Sequence, residues 1–254
     1  MSNEPMNPAL SLLNIQKAYR GRVVLDGLSL DAPQGAFTGV IGPNGAGKTT
    51  ALMIAVGLLK PDSGQSVVFG HDLRTDAQAA KSLIGVMPDG LALPERLSGE
   101  EALTYLGLLR GLEADKVRRR SSRLLRALDL DKVGATAILN YSTGMRKKIA
   151  LAIALLHNPR LLVLDEPFEA VDPISAEIIR DLLCGFVKDG GSIVLSSHSM
   201  PLVEQLCEYV AVVVEGRVQA SGTLDDVRAG RSLDETLRVF AQANREPLDA
   251  FSWE

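Results

Sequence analysis

The chain has 254 residues, 46% of them apolar and 23% charged. That length suits one domain with an inserted or appended piece and can bury a sizeable core. The net charge of −4 leaves no basic excess to meet a phosphate backbone, which argues against nucleic-acid binding.

Taken in chain order, residues 10–15 read as a short strand and Tyr19-Arg20-Gly21 as a turn. Residues 23–25 and 28–30 are further short apolar runs with turn residues between them. Residues 36–41 form a strand of the buried kind, and an apolar-periodic helix is expected beyond it as far as Leu59, stopped by Pro61 and Gly64. Residues 66–69 and 84–87 are the next strands. Residues 97–130 change character. Ser98 and Glu101 make a capping-box pattern, and Leu103, Leu106, Leu109 and Leu112 follow at helical spacing. A second helix carries Val117, Leu124, Leu125 and Leu128 on one face, with Arg118, Arg119, Arg120, Arg123 and Arg126 around them as a solvated surface. This stretch reads as a helical subdomain, about residues 90–158, inserted into a strand-helix alternation.

The alternation resumes with a helix over residues 143–157 and strands at 161–164, 192–195 and 210–214. Glu215-Gly216-Arg217 turns the chain back, and Ser232 with Glu235 predicts a capped helix in a tail over residues 223–254. Cys184 and Cys207 lack metal-site spacing and read as small hydrophobes in a reducing cytoplasm. Residues 1–8 have no apolar leader core. The longest apolar runs, 51–59 and 149–156, fall far short of the roughly 18 residues that cross a bilayer.

Two segments carry chemistry. Gly42-Pro43-Asn44-Gly45-Ala46-Gly47-Lys48-Thr49, followed by Thr50, has the spacing G-x-x-x-x-G-K-T between a strand and a helix. Glycines let consecutive amides turn inward into an anion nest, and the helix start adds its positive end. Lys48 then sets a charge on the outer phosphates of a nucleotide, and the Thr49 hydroxyl can ligate Mg²⁺. The second segment is the apolar strand 161–164 ending in Asp165-Glu166-Pro167. Ligands sit at the carboxyl ends of parallel strands. Asp165 is placed to hold Mg²⁺ and Glu166 to orient or deprotonate the attacking water.

With both segments in one chain, the sequence resembles the ABC ATPase family over residues 10–222. The discriminating element is Tyr141-Ser142-Thr143-Gly144-Met145, which looks like the family's L-S-G-G-Q signature and keeps Ser142 and Gly144. The resemblance implies an α/β fold: a P-loop core with a mainly parallel sheet, an N-terminal antiparallel subdomain and the helical insertion. It implies that the signature caps the γ-phosphate of ATP bound to a second copy, in a head-to-tail pair. Tyr19 matches the aromatic that stacks on adenine, Asp172 the acid of the subunit-coupling loop, and His198 the switch histidine at the γ-phosphate. Asp89 stands where the family usually carries a glutamine that couples nucleotide to permease. It is shorter and acceptor-only when ionised, so it can help hold Mg²⁺ but cannot donate to a phosphate.

The implied activity is ATP hydrolysis with ATP and Mg²⁺, by a cytoplasmic subunit peripheral to the cell membrane. The segments 142–148, 91–97 and 232–235 look most like the ATPases of type-two ABC exporters, which work with separate transmembrane permease subunits. Two other readings stay open: a soluble ABC ATPase without a permease, and a regulatory module that binds nucleotide without hydrolysing it.

Overall fold

The computed structural model describes residues 8–88, 90 and 93–243. Strands β1 (Pro8–Tyr19) and β2 (Arg22–Pro33) form a hairpin around Arg20-Gly21. With β4 (Ser63–Val68) and β5 (His71–Asp72) they build a four-stranded antiparallel sheet, ordered β2-β1-β4-β5. The apolar runs at 23–25 and 28–30 therefore belong to one strand, not two. Asp26-Gly27 between them is a bulge and not a turn. Gly27 takes φ 72°, and the pairing slips between Ile15 and Gln16, where Gly27 is the extra residue; Asn14 on the facing strand, at φ 50°, lies in a second slip between Leu12 and Ile15.

A second sheet has six strands in the order β10-β9-β3-β8-β7-β6. They are β3 (Phe37–Ile41), β6 (Ile84–Met87), β7 (Leu161–Asp165), β8 (Ser192–Ser197), β9 (Tyr209–Val214) and β10 (Arg217–Thr223). Every pair is parallel except the β9–β10 hairpin. Both faces of this sheet are covered. Leu162, Leu164, Ile193 and Leu195 enter one buried cluster, while Leu161, Val163 and Val194 enter the other beside the antiparallel sheet. That is why these strands are continuous apolar runs without alternation.

Helix α1 (Lys48–Ala55) ends earlier than residue 59. Gly57, at φ 68°, closes it: the Gly57 N–H donates to Ile54 O at 3.0 Å and the Leu58 N–H to Met53 O at 2.9 Å. A left-handed residue here satisfies the last carbonyls before Pro61 is reached. Helix α2 (Ala77–Ser82), which has no strong periodicity in the sequence, precedes β6.

The helical insertion holds α3 (Gly99–Leu109) and α4 (Ala114–Ala127) and runs into α5 (Thr143–Leu155). Ser98 and Glu101 make both bonds of the capping box, a device worth about 1 kcal/mol. Leu103 is buried, but Leu109 is 70% exposed. A strict three-residue spacing falls about 60° behind the helix at each step, so the stripe rotates out of the core. Helices α6 (Pro173–Lys188), α7 (Met200–Leu206), α8 (Leu224–Arg228) and α9 (Leu233–Ala243) complete the chain's described part. Ser232 and Glu235 cap α9 reciprocally, at 3.1 and 3.3 Å. Cys207 is buried and its thiol is pushed up to about 12. Cys184 is exposed on α6, and both cysteines are free.

Just after α5, His157 is bonded to Ile84 O at 2.9 Å. Burial, with Arg110 and Arg120 nearby, pushes its pKa down from the ordinary 6.5 to about 4. Between those values the unfolded chain binds the extra proton and the folded chain does not. Stability is therefore intact above 6.5 and falls as pH drops towards 4. The expected result is that His157→Gln flattens the decline of the urea midpoint between pH 7 and about 4.5, relative to wild type.

Candidate functional site

The second sheet's parallel strands end on one edge, and the candidate residues gather there. β3 runs into residues 42–47, and α1 starts at Lys48. Gly47 is the N-cap of α1 at φ 102°, and a Cβ there would lie 2.7 Å from Leu25 Cδ2 and 3.0 Å from Val24 O. Only glycine meets both demands, the left-handed backbone and the close approach of β2. Lys48 is 8% exposed and turns back over the loop, donating to Gly42 O at 2.8 Å and Pro43 O at 3.1 Å. Burial lowers its pKa, while the charges of Glu166 and Asp165 pull the other way. Lys48 is thus a buried cation held between the loop carbonyls and the two carboxylates.

β7 delivers the acid pair. Asp165 is 4% exposed; its Oδ1 accepts from Ser196 Oγ, and its Oδ2 is buried without a partner. Glu166 adopts φ 47°, a left-handed backbone that costs about 1–3 kcal/mol for a residue with a side chain. Two bonds hold it there. Its N–H donates to Ser196 Oγ at 2.9 Å, and its carbonyl accepts from Lys147 Nζ at 2.8 Å. Its carboxylate, an acceptor only, takes a bond from His198 Nδ1 at 2.9 Å. His198 therefore directly braces Glu166, a contact its placement after a strand did not reveal.

No motif gives Ser196 or Lys147 a role in the site, although Lys147 lies in the 142–148 segment. A hydroxyl inside the apolar strand β8, next to the strand that ends in two acids, is the one signal that points to Ser196.

A cleft of about 730 Å³ opens over Lys48, Glu166 and His198, while the buried Asp165 lies behind its lining. Asn44, Gly45, Gly47, Lys48, Thr49, Thr50, Glu166 and His198 line it, with Glu169 at the start of the expected subunit-coupling loop, together with Arg22, Val23, Val24, Glu215 and Gly216, which the motifs do not mark. The β9–β10 turn forms one wall: the Gly216 N–H donates to Ala46 O at 3.0 Å, and Gly216 O accepts from Asp26 N–H at 3.0 Å. Gly42, Pro43 and Ala46 belong to the loop behind the lining. Tyr19 is not in the lining; it is 45% exposed at the end of β1, paired in register with Arg22, which is.

The signature segment lies outside this cleft. Ser142 caps α5, its Oγ accepting from Met145 N–H at 3.2 Å, and Thr143, Gly144 and Met145 form the first turn. A Cβ on Gly144 would come within 2.7 Å of Asp172 Oδ2 and of Ser175 Oγ. Gly144 thus lets the start of α5 press against the start of α6. Asp172 caps α6, with Oδ1 accepting from Ser175 N–H at 2.9 Å, and bonds from Ser175 hold its carboxyl below the usual carboxylate range. Asp89 lies outside the described residues.

Residues 25–169 match the ABC transporter family model. The chain is 37% identical over 237 residues to the daunorubicin resistance ATP-binding protein DrrA3 of Streptomyces coeruleorubidus, covering 92% of this chain and 75% of that one. It is 33% identical to the linearmycin resistance ATP-binding protein LnrL of Bacillus subtilis (strain 168), covering 84% and 69%. A solved ATP-binding subunit of an ABC transporter superposes with a TM-score of 0.84 at 30% identity, over 92% of this chain and 99% of that chain. A dimeric ATP-binding cassette in a post-hydrolysis state, bound to ADP and Pi, superposes with a TM-score of 0.76 at 25% identity, over 85% and 98%. A phosphate-type loop, an acid pair and a braced histidine on one sheet edge, in a chain with these relatives, lead to one assignment: the protein belongs to the ABC transporter family, as one of its ATP-hydrolysing cassettes.

Proposed function

We propose that this chain binds ATP with Mg²⁺ in the Lys48 cleft, hydrolyses it against a second copy, and drives export through a separate transmembrane permease. The observation that carries this reading is the meeting of Lys48, Asp165, Glu166 and His198 at the carboxyl ends of β3, β7 and β8. The buried, unpartnered Asp165 Oδ2 fits a hard cation, as does the Thr49 hydroxyl in the cleft. Among the described residues no three acidic, histidine or cysteine side chains converge on a metal. That suits Mg²⁺, which usually takes one or two protein oxygens and fills its shell from phosphates and water. When bound, the ion would neutralise charge on the phosphate oxygens.

The protein's own groups do the rest. Lys48 fixes the outer phosphates as a point charge, and the loop amides and the α1 N-terminus hold their oxygens. Tyr19 at the cleft's edge stacks on the base. Glu166 aligns a water for in-line attack on the γ-phosphorus and accepts its proton, while ADP leaves. His198 holds the Glu166 carboxylate and faces the γ-phosphate with its other nitrogen. Since Ser142–Met145 lie outside their own chain's cleft, a head-to-tail partner is what brings a signature to each nucleotide. Asp172 then links the two halves, and Asp89 contacts the permease and the ion.

The export reading rests on relatives named for daunorubicin and linearmycin resistance and for Nod factor export. No helix among the described residues is long and apolar enough to cross a membrane, and those relatives are named as ATP-binding proteins, which supports a conduit on a separate chain. Affinity capture of the chain from detergent-solubilised membranes of its native cell tests this. The expected result is co-purification of a protein with several membrane spans, and ATPase activity that requires Mg²⁺. Recovery of active ATPase with no membrane protein at any detergent concentration would contradict the permease assignment.

A further inference from the structure

Lys147 has no role in the mechanism above, yet it makes one of the site's shorter bonds. We propose that Lys147 is a positioning residue for hydrolysis, which ties the helix headed by Ser142 to the backbone of Glu166. The proposal rests on Glu166 being the group that activates water.

The geometry has three parts. First, Lys147 Nζ reaches from α5 to Glu166 O at 2.8 Å, a half-buried, charge-assisted bond. That carbonyl also accepts the Glu169 N–H at 3.3 Å, a longer contact within the local turn. Second, the bond falls on a residue that needs support. Glu166 sits at φ 47°, and the following residue is Pro167, so its neighbour has no N–H to contribute. Ser196 holds the N–H side of Glu166 and Lys147 the carbonyl side. Freed from one of them, the peptide relaxes towards an ordinary conformation, and the carboxylate swings off His198. Third, Lys147 lies little more than one turn from Ser142, on a helix whose first turn abuts α6 with no room for a Cβ at Gly144. A shift of the Ser142 end therefore disturbs the α5–α6 packing and changes the reach of the Lys147 bond to Glu166. Water activation thereby depends on where the signature helix sits.

The test uses the full chain carrying Lys147→Met or Lys147→Arg, each also made in a Glu166→Gln background. Affinity for MgATP and single-turnover hydrolysis are measured. The expected result is that Lys147→Met leaves ATP affinity within about twofold and lowers the hydrolysis rate by about tenfold to a hundredfold, the size of effect a misplaced catalytic group produces. Lys147→Arg, which keeps a donor of similar reach, recovers most of the rate. In the Glu166→Gln background, Lys147→Met causes no further loss, because the two act on one step. Wild-type turnover in Lys147→Met would overturn the proposal, as would an equal fold loss with and without Glu166. If the methionine variant does not fold, Lys147→Gln is held to the same criteria. An inactive Glu166→Gln beside a fully active Lys147→Met contradicts this proposal alone. A fully active Glu166→Gln contradicts the reading beneath it.

Discussion

Lys48→Ala is expected to weaken ATP binding on the order of a hundredfold, since one hydrogen bond to a charged group is worth about 1.5–3 kcal/mol. The folded chain already bears the desolvation of that cation: it is 8% exposed, and burial lowers its pKa. Phosphate oxygens would supply the negative charge that only Glu166 and Asp165 now offer it. Removing the side chain therefore removes an attraction that is already pre-organised, while in the fold the loss of two bonds to loop carbonyls is offset by relief of the cation's burial. The melting midpoint without nucleotide should change little, whereas the rise in midpoint on adding ATP should largely vanish. Titration with a fluorescent ATP analogue checks the affinity. A variant that binds ATP within a few-fold of wild type would remove Lys48 from the phosphate site.

Glu166→Gln is expected to lower the rate of hydrolysis by about a thousandfold while leaving ATP affinity equal or tighter. General-base catalysis contributes about a hundredfold to ten-thousandfold. The amide keeps the shape of the carboxylate and can still accept from His198 Nδ1, so the 2.9 Å contact and the left-handed backbone survive. The proton acceptor is lost, and so is a negative charge facing the γ-phosphate. Rate and affinity should therefore move independently, which a merely destabilising change would not do. Rapid-mixing hydrolysis and equilibrium binding on the same preparation separate them.

What the sequence revealed and what it hid follow from chain distance. Residues 42–49 and 165–166 are contiguous segments, and each motif's local chemistry demands a particular place: a glycine turn at a strand-to-helix junction, and acids at a strand's end. Ser196 and the Glu215-Gly216 wall reach the site only through the order β9-β3-β8-β7, and Lys147 only through a side-chain bond from α5, neither of which a local pattern encodes. His198 was legible as a residue after a strand, but its bond to Glu166 depends on the neighbouring strand's end. Local rules also misled. Asp26-Gly27 has turn composition yet forms a bulge, because Gly27 takes its left-handed φ as the one extra residue while the β1–β2 pairing continues on both sides of it. Leu59 suits a helix, but Gly57 had already closed it.

The central claim is that hydrolysis occurs in a composite site, with ATP held by one copy's Lys48 loop and met by the other's Ser142 helix. Within one chain those parts lie apart: the cleft lining includes Lys48 but none of the residues from Ser142 to Met145. The most direct measurement is the mass and nucleotide content of Glu166→Gln in saturating ATP, by light scattering with quantified bound nucleotide. The account predicts a particle of two chains holding two ATP, which Ser142→Arg in the same variant abolishes while each chain still binds nucleotide. A single chain carrying one ATP at every protein concentration, or a dimer unaffected by Ser142→Arg, would contradict it.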